Sequence, residues 1–340
     1  MWAASTFASG SCLPLANSAL FAGRPAPCRA SFCVSGTIHS MNLSSPAIIS
    51  ALLRRHNLHP RKRFGQNFLV DANTLAKIVE AAHVGPGDQV LEIGAGLGVL
   101  TQALANAVGA GGQVVTVEVD RDLLPALAET VADTPQVKIV PADALALQWP
   151  AFAAQHFAHA SQPHGIKHEI KAVANIPYNI TSPLLTGLLD EKALFGVIVL
   201  LVQKEVAQRL SAPPGSPDYG ALSVFAQFHA RVETVGIVSR RVFLPAPDVD
   251  SAIVRLTPHL LSPVDVADEA QFFAVVRAAF GQRRKALPNA LSGNPALGWT
   301  RERAGDALAS AGIDPQRRGE TLSLAEFAAL ARAGHPLPAV

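Results

Sequence analysis

The chain has 340 residues, 49% of them hydrophobic and 16% charged, a balance that supports a folded core and excludes disorder over most of its length. Its formal net charge of +2 is too small by itself to mark a nucleic-acid binder. The longest apolar run, residues 193–202, is far short of a membrane span and is expected to be a buried central strand.

Residues 1–40 are rich in Ala, Ser, Gly and Pro, hold no acid and carry only Arg24 and Arg29 as charges. This segment is expected to stand outside the fold, either as an organellar transit peptide or as a lead ahead of a natural start at Met41. The second reading is favoured, because residues 41–69 read as a short lead-in to a bacterial enzyme. Cys12, Cys28 and Cys33 all lie early, so no disulfide scaffold or cysteine-zinc site can underlie the main fold. Residues 1–54 as a whole are taken as an extension.

From Asp71 the stretch "DANTLAKIVEAA" puts Leu75, Ile78, Val79 and Ala82 on one helical face, and "GPGD" ends it. The chain then alternates: apolar "QVLEI", a glycine loop, a helix near "VLTQALANAV", apolar "QVVTVEV", a helix from "RDLLPALAETVA", apolar "VKIV", then the strand "KAVA". This rhythm predicts a Rossmann-like α/β domain over residues 55–258, with a parallel sheet covered by helices on both faces. A ligand would sit at the carboxyl ends of the strands, where "GAGLG" and "NIPY" both fall. Beyond residue 258 the alternation stops, and "DEAQFFAVVRAAFGQRRKAL" and "TRERAGDALASAG" predict a small helical domain over 259–340.

In "VLEIGAGLGVLT" the strand runs straight into Gly94, Gly96 and Gly98, a nucleotide-type loop that allows a tight turn and close approach by a ligand. Glu118 ends the next strand and is placed to take ribose hydroxyls; nicotinamide enzymes use the same pair of features. Glu92 could organise the turn or face the ligand. Asp143, after "VPA", reads alone as a helix cap. Taken with the loop and Glu118 it can accept from an adenine amino group, which favours S-adenosylmethionine, with an adenine dinucleotide as the alternative. His156, His159, His164 and His168 crowd a polar stretch without neighbouring cysteines, so a solvated insertion is expected there and no metal site.

The strand "KAVA" ends in "NIPYNITSP", where Pro177 fixes its own φ and pushes Ile176 towards an extended conformation. An amide, a fixed carbonyl and the aromatic Tyr178 at a strand end could hold a planar ring bearing an amino group, although a plain turn would also fit.

The chain resembles the ribosomal RNA small-subunit adenine dimethyltransferases of the KsgA and Dim1 type, over about residues 60–330. The resemblance rests on "RKRFGQNFLVD", "LEIGAGLGVLT", "NIPYNITSPLL", "QKEVAQRL", "YGALSVFAQ", "FLPAPDVDSAIVRLTPH" and "FGQRRKAL" in this order. It implies a class I methyltransferase fold and an enzyme that uses S-adenosylmethionine to dimethylate the exocyclic amines of two adjacent adenines. Those adenines lie in the 3′-terminal hairpin loop of small-subunit rRNA, and the modification belongs to biogenesis of that subunit. It also implies that Asn67, Leu69, Gly94, Gly96, Glu118, Asp143 and Asn175 line the cofactor. Asn175 and the Pro177 carbonyl would take the two amine hydrogens, Tyr178 would stack on the base, and Phe243 would be a second plate.

Departures are Ala286 and Pro288, where Thr and Arg are more usual, with Pro288 expected to end or kink its helix, and Asp248 in place of a basic residue. The clusters Arg61–Lys62–Arg63 and Arg283–Arg284–Lys285 are expected to contact phosphates. A cytoplasmic monomer acting on the immature small subunit is expected, organellar only if residues 1–40 direct import. Rival readings are a large-subunit adenine methyltransferase, a relative acting as transcription factor or assembly checkpoint, and a nicotinamide dehydrogenase. The last leaves "NIPY" without a role.

Overall fold

The computed structural model describes residues 43–61, 65–157, 170–177 and 180–334. In chain order it begins with α1 (Pro46–Arg55), β1 (Phe68–Leu69), α2 (Ala72–Ala81), β2 (Gln89–Ile93), α3 (Val99–Val108), β3 (Gln113–Glu118) and α4 (Leu124–Thr130). There follow β4 (Val137–Pro141), α5 (Trp149–His156), β5 (Ile170–Asn175), α6 (Thr181–Asp190), β6 (Phe195–Gln203), α7 (Lys204–Ser211) and α8 (Ala221–His229). The last segments are β7 (Ala230–Val238), β8 (Phe243–Leu244), β9 (Ser251–Pro258), α9 (Glu269–Gly281), α10 (Leu287–Ser292), α11 (Arg301–Ser310) and α12 (Leu324–Ala333).

Seven strands form one sheet in the order β4-β3-β2-β5-β6-β9-β7. The five from β4 to β6 are parallel, as the alternating rhythm predicts. β9 enters antiparallel between β6 and β7, because the chain returns from β7 through a connection with no crossover helix. The short β8 pairs instead with β1.

The uninterrupted apolar run of β6 is explained by two covered faces. Ile198, Leu200 and Val202 join Trp149, Phe152, Leu184 and Leu188 of α5 and α6 in one core. Val197, Val199 and Leu201 point the other way, into a second core with Ile49, Leu52, Ile78 and Leu104 of α1, α2 and α3. Each fully buried side chain of this size contributes ~1.5–3 kcal/mol of transfer free energy.

α1 lies inside the stretch read from sequence as an extension. Its Ile49, Leu52 and Leu53 recur at helical spacing and are buried, while Arg55 and His56 both pair with Glu129 of α4. Ten residues with an apolar stripe that finds partners form a helix here, so residues well before 54 belong to the fold.

The C-terminal helices share a third core that includes Phe272, Val276, Leu291, Leu308 and Phe327, and also Tyr219, Val224 and Phe228 from before residue 258. The Tyr219 hydroxyl donates to the Leu322 carbonyl at 2.9 Å. Pro288 does not kink a helix. α9 has already ended at Gly281, and Pro288 sits in the first turn of α10, where a missing N–H costs nothing.

Candidate functional site

The strand order places a cleft. β2 has β3 on one side and β5 on the other, and the chain leaves β4 at the sheet edge to re-enter at β5, so the carboxyl ends of β2 and β5 flank a switch point. The cleft there is lined by residues 65–69, the glycine loop, Glu118, Val119 and Leu123 after β3, Asn175 to Pro177 after β5, and Phe243. Asn67, Leu69, Gly94, Gly96, Glu118, Asn175, Pro177 and Phe243, singled out from sequence, therefore meet at one place.

The glycines do two different jobs. Gly96 has φ +58° and turns its N–H to the Glu118 carboxylate, Oε2 accepting at 2.8 Å. Gly98 has φ +82° and no room for a Cβ, which would lie 2.6 Å from Thr130 Oγ1; its need is packing against α4 and not a ligand. Glu118 Oε1 accepts from the Asp120 N–H at 2.8 Å. Burial pushes the Glu118 carboxyl above the usual range, opposed by the N–H groups of Asp120 and Gly96. A carboxylate has about four lone-pair sites, so these N–H groups leave acceptor capacity for a ligand diol.

Glu92 resolves into a brace beneath the loop. It is fully buried, and its Oε2 accepts from Thr101 at 2.6 Å and Thr116 at 2.7 Å, tying the first turn of α3 to β3. Burial raises its pKa to about 7, against the two threonine hydroxyls, and its Oε1 has no partner among the described residues. It does not line the cleft.

At the opposite wall Asn175 ends β5. Its Nδ2 reaches the Asn67 carbonyl at 3.4 Å, the long end of the hydrogen-bond range, and among the described residues its Oδ1 accepts nothing. Phe243 is only 4% exposed and belongs to the second core while also lining the cleft. Its strand mate across the β1–β8 pair is Leu69.

Other expectations fare differently. Asp143 is exposed, lies outside the cleft lining, and its side chain accepts from the Leu145 N–H at 2.9 Å as a cap. Tyr178, Lys62, Arg63, His159, His164 and His168 lie outside the described residues. The basic clusters are not uniformly free. Arg61 pairs with Asp120 at 3.1 Å and with Asp122. Arg283 donates to the carbonyls of Pro217 and Tyr219 at 3.2 and 3.1 Å. Arg284 and Lys285 remain exposed. Sequence reading did not single out Gln66, although it lies in the motif "GQNFL", or Asp120, whose one signal was the acidic "EVDRD" that begins at the end of β3. Among the described residues no helix is long and apolar enough to cross a membrane.

Comparison with known proteins now bears on this geometry. The profile of the ribosomal RNA adenine dimethylase family matches residues 57–331. The chain belongs to that family. Similar relatives named ribosomal RNA small subunit methyltransferase A occur in Pelotomaculum thermopropionicum and Moorella thermoacetica. The first is 49% identical over 289 residues, 85% of this chain and 96% of its own length. The second is 47% identical over 291 residues, 86% of this chain and 98% of its own. Among solved structures, a dimethyladenosine transferase from Plasmodium falciparum superposes with a TM-score of 0.62 at 26% identity, covering 77% of this chain and 95% of that one. The 23S rRNA methyltransferase ErmE superposes with a TM-score of 0.57 at 28% identity, covering 78% and 99%.

The chain is thus an S-adenosylmethionine-dependent methyltransferase, and its cleft fits that cofactor in kind. A buried carboxylate beside a glycine loop suits a ribose diol, and the apolar walls of Ala95, Leu97, Leu100 and Ile176 suit an adenosine. When bound, S-adenosylmethionine supplies an electrophilic methyl group carried on a sulfonium.

Proposed function

We propose that the dimethylase places two methyl groups on the exocyclic amine of each of two adjacent adenines in the 3′-terminal hairpin loop of small-subunit rRNA. The observation that carries this reading is the single cleft in which the Glu118–Gly96 corner faces the Asn175–Pro177 wall across the sheet's switch point. An adenine amine is a poor nucleophile because its lone pair is shared with the ring. Neutral Asn175 cannot act as a base, but its Oδ1 and the Pro177 carbonyl can accept the two amine hydrogens and turn the lone pair towards the methyl group. The Nδ2 contact to Asn67 leaves Oδ1 as the side that accepts.

Tyr178 stacks on the extruded base in this reading, with Phe243 as the second plate, since a flipped base loses its neighbours in the RNA. In this reading Asp143 takes the cofactor's adenine amine although it stands outside the cleft lining, its Oδ1 serving as the cap to Leu145. The helices α9 to α12 form the RNA-docking part, and the immature small subunit is the working substrate of a cytoplasmic monomer. Identity of 49% and 47% over 96% and 98% of the length of enzymes named for the small subunit supports the small-subunit target.

The test is to incubate purified protein with labelled S-adenosylmethionine and, in parallel, undermethylated small subunits and large-subunit rRNA, and to map the modified nucleotides. Dimethylation of two neighbouring adenines near the 3′ end is expected. Label confined to large-subunit rRNA, or absent from both, overturns the assignment.

A further inference from the structure

The cofactor-side wall made by residues 65–69 is anchored at both ends. At one end Phe68 and Leu69 pair with Leu244 and Phe243, and the Val70 N–H donates to the Val242 carbonyl at 2.8 Å. The other end is held through side chains, chiefly by a set that converges on Asp120, with Asn175 Nδ2 reaching the Asn67 carbonyl from β5. Asp120 is 4% exposed and does not line the cleft. Its Oδ2 accepts from Gln66 Nε2 at 2.7 Å, and its Oδ1 accepts from Arg61 Nη1 at 3.1 Å and from the Asp122 N–H at 3.2 Å. Gln66 Oε1 in turn accepts from the Arg61 N–H at 2.8 Å, which closes a ring of three residues. The Asp120 N–H meanwhile holds Glu118 Oε1. A buried carboxylate so fully satisfied fixes whatever it holds, because losing one partner strands a charge.

We infer that Asp120 is a positioning residue for S-adenosylmethionine: without touching the cofactor, it registers the Gln66–Asn67 segment against Glu118. Each wall then comes to its place from a different strand, and Asp120 sets the distance between them. The inference rests on the family reading of the cleft as the cofactor site. It concerns binding of the cofactor first: Asn175 and Pro177 stand at the end of β5, joined to this segment only by the 3.4 Å contact of Asn175 Nδ2 to the Asn67 carbonyl.

Asp120→Asn keeps one acceptor oxygen but points an amide donor at the amide donor of Gln66. The exchanged pair Asp120→Asn with Gln66→Glu reverses donor and acceptor, so that the new amide donates to the new carboxylate and Arg61 keeps two acceptors. Calorimetric titration of the ligand-free proteins with S-adenosylmethionine should show Asp120→Asn weakened roughly tenfold or more. The exchanged pair should recover to within about threefold of wild type by the same reasoning. Turnover of Asp120→Asn at saturating cofactor should stay near wild type while the cofactor KM rises. Hydrogen exchange without ligand should speed up at the amides of residues 65–69 and not across α9 to α12. The inference is overturned if Asp120→Asn binds with wild-type affinity, if the exchanged pair binds no better than Asp120→Asn, or if protection is lost evenly throughout. Failure of wild-type protein to bind S-adenosylmethionine at all would count against the family reading of the cleft instead.

Discussion

The two walls of the cleft are built to different standards of order. On the β3 side the polar groups are already engaged: Gly96 and Asp120 on Glu118, Gln66 and Arg61 on Asp120, with Thr101 and Thr116 holding Glu92 of β2 beneath the glycine loop. On the β5 side the Asn175 side chain makes one hydrogen bond among the described residues, at 3.4 Å, and the Pro177 carbonyl accepts from the Ile180 N–H at 3.1 Å. In the proposed reading the difference matches what each wall would bind. A cofactor that is the same at every turnover rewards a pre-formed cradle, whereas an adenine drawn from RNA needs acceptor capacity left open, as on Asn175 Oδ1 and the second lone pair of the Pro177 carbonyl.

The largest effect that would break this comparison is expected at Asn175. Asn175→Ala should lower the single-turnover methylation rate by about a hundredfold or more, as removal of a preorganised hydrogen-bonding partner does, and should weaken cofactor binding only modestly. Dimethylation at the wild-type rate would return "NIPY" to a plain turn and leave the β5 wall without a chemical role.

The pH dependence of Glu92 sharpens the other side. Its folded pKa of about 7 lies above the ordinary 4.5, so between these values the folded protein keeps a proton that the unfolded chain gives up. Stability is then greatest below the unfolded value and declines as pH rises towards 7, by about 1.36 kcal/mol per pH unit and about 3 kcal/mol in all. Glu92→Gln cannot ionise and should flatten the melting-temperature profile between about pH 5 and 7. A profile as steep as wild type would mean that other groups govern it.

How much of this was legible beforehand differs between the two walls as well. The bounds of β2 and α3 and the glycine loop between them come from local signals, namely apolar runs and glycines a few residues apart. Glu118 and Asn175 could be placed because each ends a strand. The Asp120 ring was not legible, since Arg61 and Gln66 lie more than fifty residues from it and nothing in their neighbours marks a partner. The same blindness to distant pairing made Arg61 and Arg283 look like free cations and made α1 look like a lead-in, its apolar stripe being recognisable only once α2 and β6 supply the surface it covers.

A smaller effect is expected at Tyr178, which the proposed mechanism assigns to the base alone. Tyr178→Ala should remove roughly 1–3 kcal/mol of stacking, seen as slower methyl transfer, while calorimetry gives an unchanged cofactor affinity. Weakened cofactor binding of the same size would erase the division between the walls, because one residue would then serve both.

The smallest effect separates the two basic clusters. Both read from sequence as phosphate contacts, yet Arg61 spends its guanidinium on Asp120 and Asp122, whereas Arg284 and Lys285 stand exposed before α10. Replacing Arg284 and Lys285 by Ala should weaken binding to undermethylated small subunits, and for duplex-like contacts each phosphate lost should reduce the log–log salt slope by about 0.9. Arg61→Ala should leave that slope alone and lower cofactor affinity, because it opens the ring that Asp120 closes. Measuring both ligands for both variants gives a crossed pattern if the β3 wall is dedicated to the cofactor. An Arg61→Ala protein with a reduced salt slope and normal cofactor affinity would instead move that arginine to the RNA surface and leave Gln66 as the sole side chain through which Asp120 holds the wall.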